Sequence, residues 1–333
     1  MTARLLPRLL VRTGSLIATL AVVLLLDFAL IRWGGSADPV AGMDSPNLSA
    51  EKLREIRQAH RKRFRLDEPL PVQFGGWMAD LGRGDLGRSA MSEEPVTERI
   101  GRALPTSLCL QGTALILMFP LGIALGVFLA RRLGGAIDRF VSGILVLLHA
   151  VPVFWLATLL LLFLATDRGA TLFPMERMHG PTADRMDAFD RFLDLLWHMV
   201  LPVTVLTLPG IVHIARQTRS GLAHALASDY VRTARAAGIP ENVVVRKYAL
   251  RNALGPVAAL FGAQIPNLVG GSVIVETIFN VDGLGRLLYD STYGRDYPVL
   301  QSLFLLGAVT TLAGYALSDM LVWWLLPRSR ADA

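Results

Sequence analysis

The chain has 333 residues, of which 53% are hydrophobic and 18% charged, and its mean hydropathy is +0.46. This composition excludes an ordinary water-soluble domain, and the apolar stretches that recur along the chain predict an all-α integral membrane protein. The net charge of +6 is not gathered into a basic patch with interleaved aromatic residues, which argues against a nucleic-acid partner. A single cysteine, Cys109, excludes an intrachain disulfide bond.

Six apolar segments have about the length that a hydrocarbon core requires, and we interpret them as six transmembrane helices. In chain order they are residues 14–31, 107–130, 140–165, 195–215, 256–278 and 299–326. The fourth is the least regular, because Pro202 and Pro209 interrupt it. We accordingly treat residues 1–106 as an N-terminal transmembrane helix with a long external segment, and residues 107–333 as a five-helix core.

The basic residues of the short loops fall on one side of this topology, which the positive-inside rule assigns to the cytoplasm. That side holds both termini, the loop between spans two and three, and the loop between spans four and five. The residues concerned are Arg4, Arg8, Arg12, Arg131, Arg132, Arg139, Arg216, Arg219, Arg232, Arg235, Arg246, Lys247, Arg251, Arg328 and Arg330. No small-residue cleavage pattern follows the first apolar run, so we expect it to remain as an uncleaved span.

Three stretches of the external segments carry local structural signals. Residues 49–64 show the charge spacing of a solvated surface helix, which Ser49 would cap. Two prolines then break this helix, and residues 74–81 predict a second short amphipathic helix. The GLG of residues 283–285 is too short for a dinucleotide-binding loop, so it predicts a turn before a short interfacial helix.

The sequence lacks the residue patterns of an enzyme. Its only lysines are Lys52, Lys62 and Lys247, and none follows a glycine, so a phosphate-binding loop of the GxxxxGK[ST] type is absent. The six histidines have no metal-site spacing with cysteines or carboxylates, and no serine lies in a nucleophile-elbow context. We therefore expect a chain that does not hydrolyse ATP by that route, binds no metal and is not an enzyme.

Polar groups at membrane depth are the candidates for a solute path, because such groups are costly in lipid and usually face protein or water. The ionisable ones are Asp27, Glu276 and Asp319. In the fifth span, Gln264 and Asn267 flank Pro266, which marks a helix that bends or presents polar groups inward. We take Gln264, Asn267 and Glu276 as the candidate path-lining residues.

The polar segment of residues 216–251 is too long for a turn and too charged for lipid. Residues 228–230 favour a helix start, residues 232–237 favour a helix, Gly238 a stop and Pro240 the beginning of a new helix. Two short helices joined at a glycine form a knob that another protein can grip. A merely solvated linker would not need these start and stop signals.

Motifs along almost the whole chain resemble the permease subunits of bacterial ABC importers, in particular the dipeptide, oligopeptide and nickel permease family. They are GDLGRS (84–89), PVTERIGRALPTSL (95–108), VPVFWLATLLL (151–161), HMVLPVTVLTLP (198–209), DYVRTARAAGI (229–239), ALRNALGPV (249–257), VETIFNVDGLGRLLYD (275–290) and RDYPVLQ (295–301). Any one of these motifs alone would be weak, whereas the set is specific. The resemblance implies the six-helix fold of a type I ABC importer permease in the bacterial inner membrane.

The resemblance also implies that the loop of residues 216–251 is the coupling loop, called the EAA loop in this family, which docks into a separate ATPase subunit. Gly238 matches the glycine of its motif and Ala234 one of its alanines, whereas Arg232 stands where the general motif has glutamate. The implied coupling residues are Asp229, Tyr230, Arg232, Thr233, Ala234, Arg235, Ala236, Ala237, Gly238 and Ile239. The implied partners are two ATPase subunits, a paralogous second permease and an external solute-binding protein, with ATP and Mg²⁺ used by the ATPases and no cofactor bound by this chain.

Di- and oligopeptides are the leading substrate class, with nickel or another small solute as the alternative within the same family. Outside that family, a secondary transporter or channel would couple through intramembrane carboxylates and need no ATPase. A membrane-bound enzyme would require a reactive constellation that the sequence does not contain. The small number of charges at membrane depth and the ordered segment 216–251 favour the importer.

Overall fold

The computed structural model describes residues 14, 18–29, 51, 54, 55, 58, 62 and 67–325. Over these residues the regular structure is helical, apart from one isolated antiparallel bridge between Arg88 and Pro95. Four of the described helices are long and apolar enough to cross a membrane, or five if one sharply bent pair counts as a single span. The predicted all-α membrane class is thus confirmed, while parts of the predicted first span and of the helix at 49–64 lie outside the described residues.

The helices that position the candidate site are numbered here in chain order. They are α1 Ala18–Ala29, α2 Leu70–Gly82, α3 Val96–Ala130, α4 Ala136–Ala150, α5 Val153–Leu164, α6 Ala188–Leu226, α7 Asp229–Ala236, α8 Glu241–Val243, α9 Leu250–Ala253, α10 Gly255–Gly270, α11 Val273–Ile278, α12 Leu284–Tyr293 and α13 Tyr297–Leu325. A 3₁₀ turn at Ala183–Arg185 precedes α6, and a π-helical turn at Val244–Ala249 joins α8 to α9. Helices α2 and α12 lie where the sequence predicts short amphipathic helices.

The predicted third span, residues 140–165, is not one straight helix. It consists of α4 and α5, which are bent by 99° at a short break. Val151 has the extended conformation that a residue before proline prefers, and Pro152 occupies the N-cap position of α5. The prediction of a single helix overlooked this Val-Pro step, because the apolar run continues through it without a polar residue.

Helix α6 is continuous through Pro202 and Pro209, so the two prolines do not interrupt it. Its 39 residues correspond to about 58 Å, whereas a hydrocarbon core is about 30 Å thick. The predicted span of residues 195–215 is therefore only the apolar middle of a much longer helix. Both polar ends remain helical because backbone hydrogen bonding does not depend on side-chain polarity.

The chain divides into two compact units, of which the first comprises residues 1–103 and 287–309. In this unit the ring of Phe28 meets those of Phe74 and Trp77 on α2, at centroid distances of 5.3 and 5.9 Å. The fully buried Asp296 accepts hydrogen bonds from Ser89 Oγ at 2.5 Å and from Arg99 at 2.7 Å. These contacts hold the first turn of α3 and the segment before it against the turn before α13.

The second unit comprises residues 104–286 and 310–333. Helix α6 forms its centre and packs against α4, α5, α9 and α10. The side chains of Val205, Val212 and Leu222 are fully buried along the length of α6. The core thus follows one helix from the membrane-spanning part to the polar segment 216–251.

Candidate functional site

The polar segment of residues 216–251 begins within the last turns of α6, which ends at Leu226. Helix α7 starts three residues later, at Asp229, whose carboxylate suits the positive end of the helix dipole. The preceding Ser228 does not cap α7, since its hydroxyl instead donates a hydrogen bond to the carbonyl of Ala225 at the end of α6. This hydrogen bond stabilises the turn between α6 and α7.

Helix α7 ends in a Schellman motif built around Gly238. The N–H of Ile239 donates to the carbonyl of Ala234 at 3.2 Å, and the N–H of Gly238 donates to that of Arg235 at 3.0 Å. Gly238 has a φ of +72°, a left-handed conformation that costs a residue with a Cβ roughly 1–2 kcal/mol. The predicted helix stop at this glycine therefore has a specific backbone cause.

The short helix α8 follows directly after Pro240, as the sequence predicts. A bidentate ion pair joins it to α7: Arg235 donates to Glu241 through Nε at 3.0 Å and through a terminal nitrogen at 2.7 Å. Hydrogen bonding from Arg235 lowers the pKa of Glu241 below its usual range, and the same bond raises the pKa of Arg235. The pair fixes the angle between the two helices on the exposed side of the glycine turn.

The inner side of α7 belongs to the core of the second unit. Val231 is fully buried and Ala234 is 5% exposed, and both pack with Leu222 of α6. The same cluster contains Ala130, Val244, Val245, Ala249 and Ala253. A force on α7 is consequently passed to α3, α6 and α9 through close-packed side chains.

Eight of the ten predicted coupling residues are exposed, and the other two face inward. The exposed ones are Asp229, Tyr230, Arg232, Thr233, Arg235, Ala236, Ala237 and Gly238. Ala234 is buried and Ile239 is partly buried in the same apolar cluster. The motif therefore has eight residues on an exposed surface and two, Ala234 and Ile239, that pack into the apolar cluster beneath it.

A cavity of about 350 Å³ lies between α3, α6 and α10. Gln264 and Asn267 both line it, and the side-chain amide of Asn267 donates to Gln264 Oε1 at 2.8 Å. Gln111 of α3 and His213 of α6 contribute further polar groups, and the remaining wall is mostly apolar. Two of the three candidate path-lining residues thus share one polar-and-apolar cavity.

Glu276, the third candidate, is 1% exposed and lies outside the lining of that cavity. Its carboxylate accepts hydrogen bonds from Ser107 Oγ at 2.9 Å, from the N–H of Ser272 at 3.0 Å and from the N–H of Arg286 at 3.1 Å. A Cβ on Gly271 would lie 2.5 Å from Glu276 Oε1, and Gly271 also has a φ of +65°. Glu276 therefore joins α3, α11 and the start of α12.

The other two intramembrane carboxylates lie in different surroundings. Asp27 of α1 is 7% exposed, and neither of its carboxylate oxygens has a hydrogen-bond partner within the described part of the chain. Asp319 of α13 is exposed, and its side chain is not without an interaction partner. Neither residue lines the cavity that holds Gln264 and Asn267.

One buried ion pair, between α4 and the last turns of α6, has no signal in the sequence. Asp138 of α4 is 1% exposed and accepts two hydrogen bonds of 2.6 Å from the guanidinium of Arg219 of α6. Arg219 was assigned only to the positive side of the membrane, because a pairing across 81 residues leaves no local signal. The pair holds the last turns of α6, within the polar segment 216–251, to the start of α4.

These features define an all-helical membrane protein in which two short helices, α7 and α8, have an exposed outer face and an inner face packed against the membrane helices. Residues 122–331 match the family of binding-protein-dependent transport system inner membrane components. The chain belongs to this family, and it is thus an inner-membrane permease of an ABC importer.

Curated relatives cover almost the whole chain. The oligopeptide transport system permease AppB of Bacillus subtilis is 34% identical over 95% of this chain and 97% of its own length. The di/tripeptide permease DppB of Pseudomonas aeruginosa is 35% identical over 96% and 97%. The glutathione permease GsiC of Pectobacterium atrosepticum is 36% identical over 93% and 94%.

A solved structure of the MetNI methionine ABC transporter in inward-facing conformations has a similar fold. Its matching chain gives a TM-score of 0.53 at 19% identity, and the match covers 68% of this chain and 96% of that one. This likeness supports the fold alone.

Proposed function

We propose that this permease carries di- and oligopeptides and forms half of their translocation path. Support comes from the relatives AppB and DppB, whose names specify oligopeptide and di/tripeptide transport and which match along nearly their full lengths. Glutathione, a tripeptide, is the second candidate, since GsiC is equally similar. The cavity lined by Gln264 and Asn267 would then be part of the path wall, with amide groups able to bond a peptide backbone.

We infer that the segment of residues 216–251 is the coupling loop and that it docks on an ATPase subunit. The observation that carries this inference is α7: its outer face is exposed, whereas its inner face is packed into the helices of the membrane core. ATP and Mg²⁺ would be used by two ATPase partners. Closure of those subunits would move α7, and rigid-body motion of the spans would open the path to each side in turn.

The membrane topology and the partner subunits that we propose are those predicted from the sequence. The chain would have six spans with both termini in the cytoplasm, an N-terminal part of residues 1–106 and a permease core of residues 107–333. A paralogous second permease would supply the other half of the path, and an external solute-binding protein would deliver the peptide. Glu276 would hold the outer ends of the helices rather than contact the substrate, because its oxygens are occupied by Ser107, Ser272 and Arg286.

Two substitutions of Gly238 test the coupling role. Gly238→Val forces a β-branched residue into a left-handed conformation, whereas Gly238→Asn supplies a residue that tolerates it. No atom lies within 4 Å of the position that a Cβ would take, so the backbone is the only target of the change. We expect the valine variant to insert normally but to lose co-purifying ATPase and peptide uptake, and the asparagine variant to keep both. Uptake that is unchanged in the valine variant would contradict the proposal.

A further inference from the structure

A second cavity, of about 500 Å³, lies between α4 and α6. Its polar lining comes from Ser142 and His149 of α4 and from five residues of α6, namely His213, Arg216, Gln217, Arg219 and Ser220. His213 also lines the cavity at Gln264, and the residues from Arg216 onward belong to the polar segment 216–251, but none of the roles proposed above uses the side chains of Arg216, Gln217 or Ser220.

The two cavities follow each other along one face of α6. His213, Arg216, Gln217 and Ser220 are spaced i, i+3, i+4 and i+7, so they lie on the same side of the helix. The stripe continues toward the first cavity through Pro209, Gly210 and Leu206, and His213 lines both cavities. From Leu206 to Ser220 the face is about 21 Å long. A solute that leaves the first cavity along this face must pass His213 to reach the second.

The second cavity has an unbalanced positive charge. The charge of Arg219 is neutralised by Asp138, which receives both of its hydrogen bonds. Arg216 is exposed, and it makes no hydrogen bond or ion pair with another described residue. Among the described residues, no acidic side chain lines the cavity, which leaves the guanidinium of Arg216 and two imidazoles facing the same space. Such a surface attracts an anion.

The stripe is also unsuited to face lipid. His213 lies inside the apolar segment of residues 195–215 and Arg216 directly follows it, and polar side chains at such a depth usually face protein or a water-filled space. Here the polar residues are gathered on a face that the rest of the described chain leaves open, as expected for the wall of an aqueous path.

We propose that this second cavity binds the carboxylate group of the transported solute on its way to the coupling-loop side, with Arg216 as the principal ligand. The inference rests on the proposed function, since a peptide carries a carboxylate at its C-terminus and its backbone suits the amide-lined first cavity. Gln217 and Ser220 supply neutral donors beside the guanidinium, and His213 contacts the solute as it moves between the two cavities.

The test uses the assembled importer in nanodiscs, without nucleotide and without the binding protein. Equilibrium binding of one radiolabelled peptide is measured in competition with two unlabelled forms of it, the free acid and the C-terminal amide. A hydrogen bond to a charged group corresponds to about tenfold in affinity, so the wild type should prefer the acid by about that factor. Arg216→Gln should bind both forms equally, and Arg216→Lys should keep the preference because it keeps the charge.

Arg139→Gln is the matched control, because Arg139 is exposed on α4 but does not line the cavity, and it should leave the preference unchanged. Equal binding of acid and amide by the wild type would overturn the inference. So would a preference that survives in Arg216→Gln. Equal binding in nanodiscs that contain phosphatidylglycerol, with an acid preference that appears only when this lipid is omitted, would also overturn it, because a lipid phosphate would then occupy the site. Peptide uptake by the same importer with its binding protein is assayed in parallel. Uptake without an acid preference refutes only the carboxylate site, whereas absence of uptake refutes the proposed function and this inference with it.

Discussion

The ion pair between Asp138 and Arg219 is the most informative point at which to perturb stability. Asp138 also accepts from the N–H of Gly134 at 2.9 Å and from Ser142 Oγ at 3.3 Å, so its carboxylate holds four donors on the start of α4 and the end of α6. Asp138→Asn retains the shape but removes the charge and replaces one acceptor with a donor. The guanidinium of Arg219 then loses its counter-charge.

The expected cost can be bounded from burial. Removing one partner of a fully buried pair costs about 3–5 kcal/mol. The side chain of Arg219 is 31% exposed, so water compensates part of the loss, and we expect about 2–3 kcal/mol. For a chain of 333 residues that corresponds to a melting temperature lower by about 3–4 °C.

The assay is thermal unfolding of the purified chain in mild detergent, and the measured signal is the loss of the monodisperse species. Glu241→Gln serves as the comparison, because it breaks the exposed pair with Arg235 and should cost no more than about 1 kcal/mol. In a double-mutant cycle with Arg219→Gln, the second substitution should cost much less once Asp138 is already changed. Melting of Asp138→Asn within about 2 °C of the wild type would refute the reasoning.

Two further predictions concern the glycine beside Glu276 and the pH response of the knob. Gly271→Ala should lower the melting temperature of the purified chain, because its Cβ would lie 2.5 Å from Glu276 Oε1, whereas Gly270→Ala meets nothing within 4 Å and should be tolerated; equal effects would contradict this. The lowered pKa of Glu241 means that its pair with Arg235 stabilises the knob fully above the ordinary glutamate pKa of 4.5 and is lost as the pH falls through the lowered value. The protection factors of the α7 amides, which are exchange rates corrected for the intrinsic pH dependence of exchange, should therefore fall only below that range in the wild type. Protection that is already lost near pH 7 would contradict the sign.

The local helix signals of residues 228–240 were readable in the sequence. Gly238 and Pro240 act on their own backbone, so the end of α7 and the beginning of α8 follow from residue type alone. Tertiary contacts decide the rest of that segment. Ala234 looks like any other motif residue in the sequence, and only packing against Leu222 shows that it faces the core.

The lengths and bends of the membrane helices, by contrast, could not be predicted from the sequence. Hydropathy located the apolar part of α6 but not its length, and it hid the bend between α4 and α5 because Pro152 lies inside an apolar run. The environment of Glu276 was equally hidden. Its partner Ser107 is 169 residues away in sequence, and its other donors are backbone N–H groups that carry no side-chain signal.

Site-specific photo-crosslinking tests the central claim most directly. A benzoylphenylalanine in place of Tyr230, which is 37% exposed on α7, is compared with one in place of Tyr293, which is 75% exposed on α12. In the assembled importer we predict an adduct between residue 230 and the ATPase subunit, and no such adduct from residue 293. An importer that transports peptide but gives no ATPase adduct from residue 230, or gives one from residue 293 instead, would contradict the account.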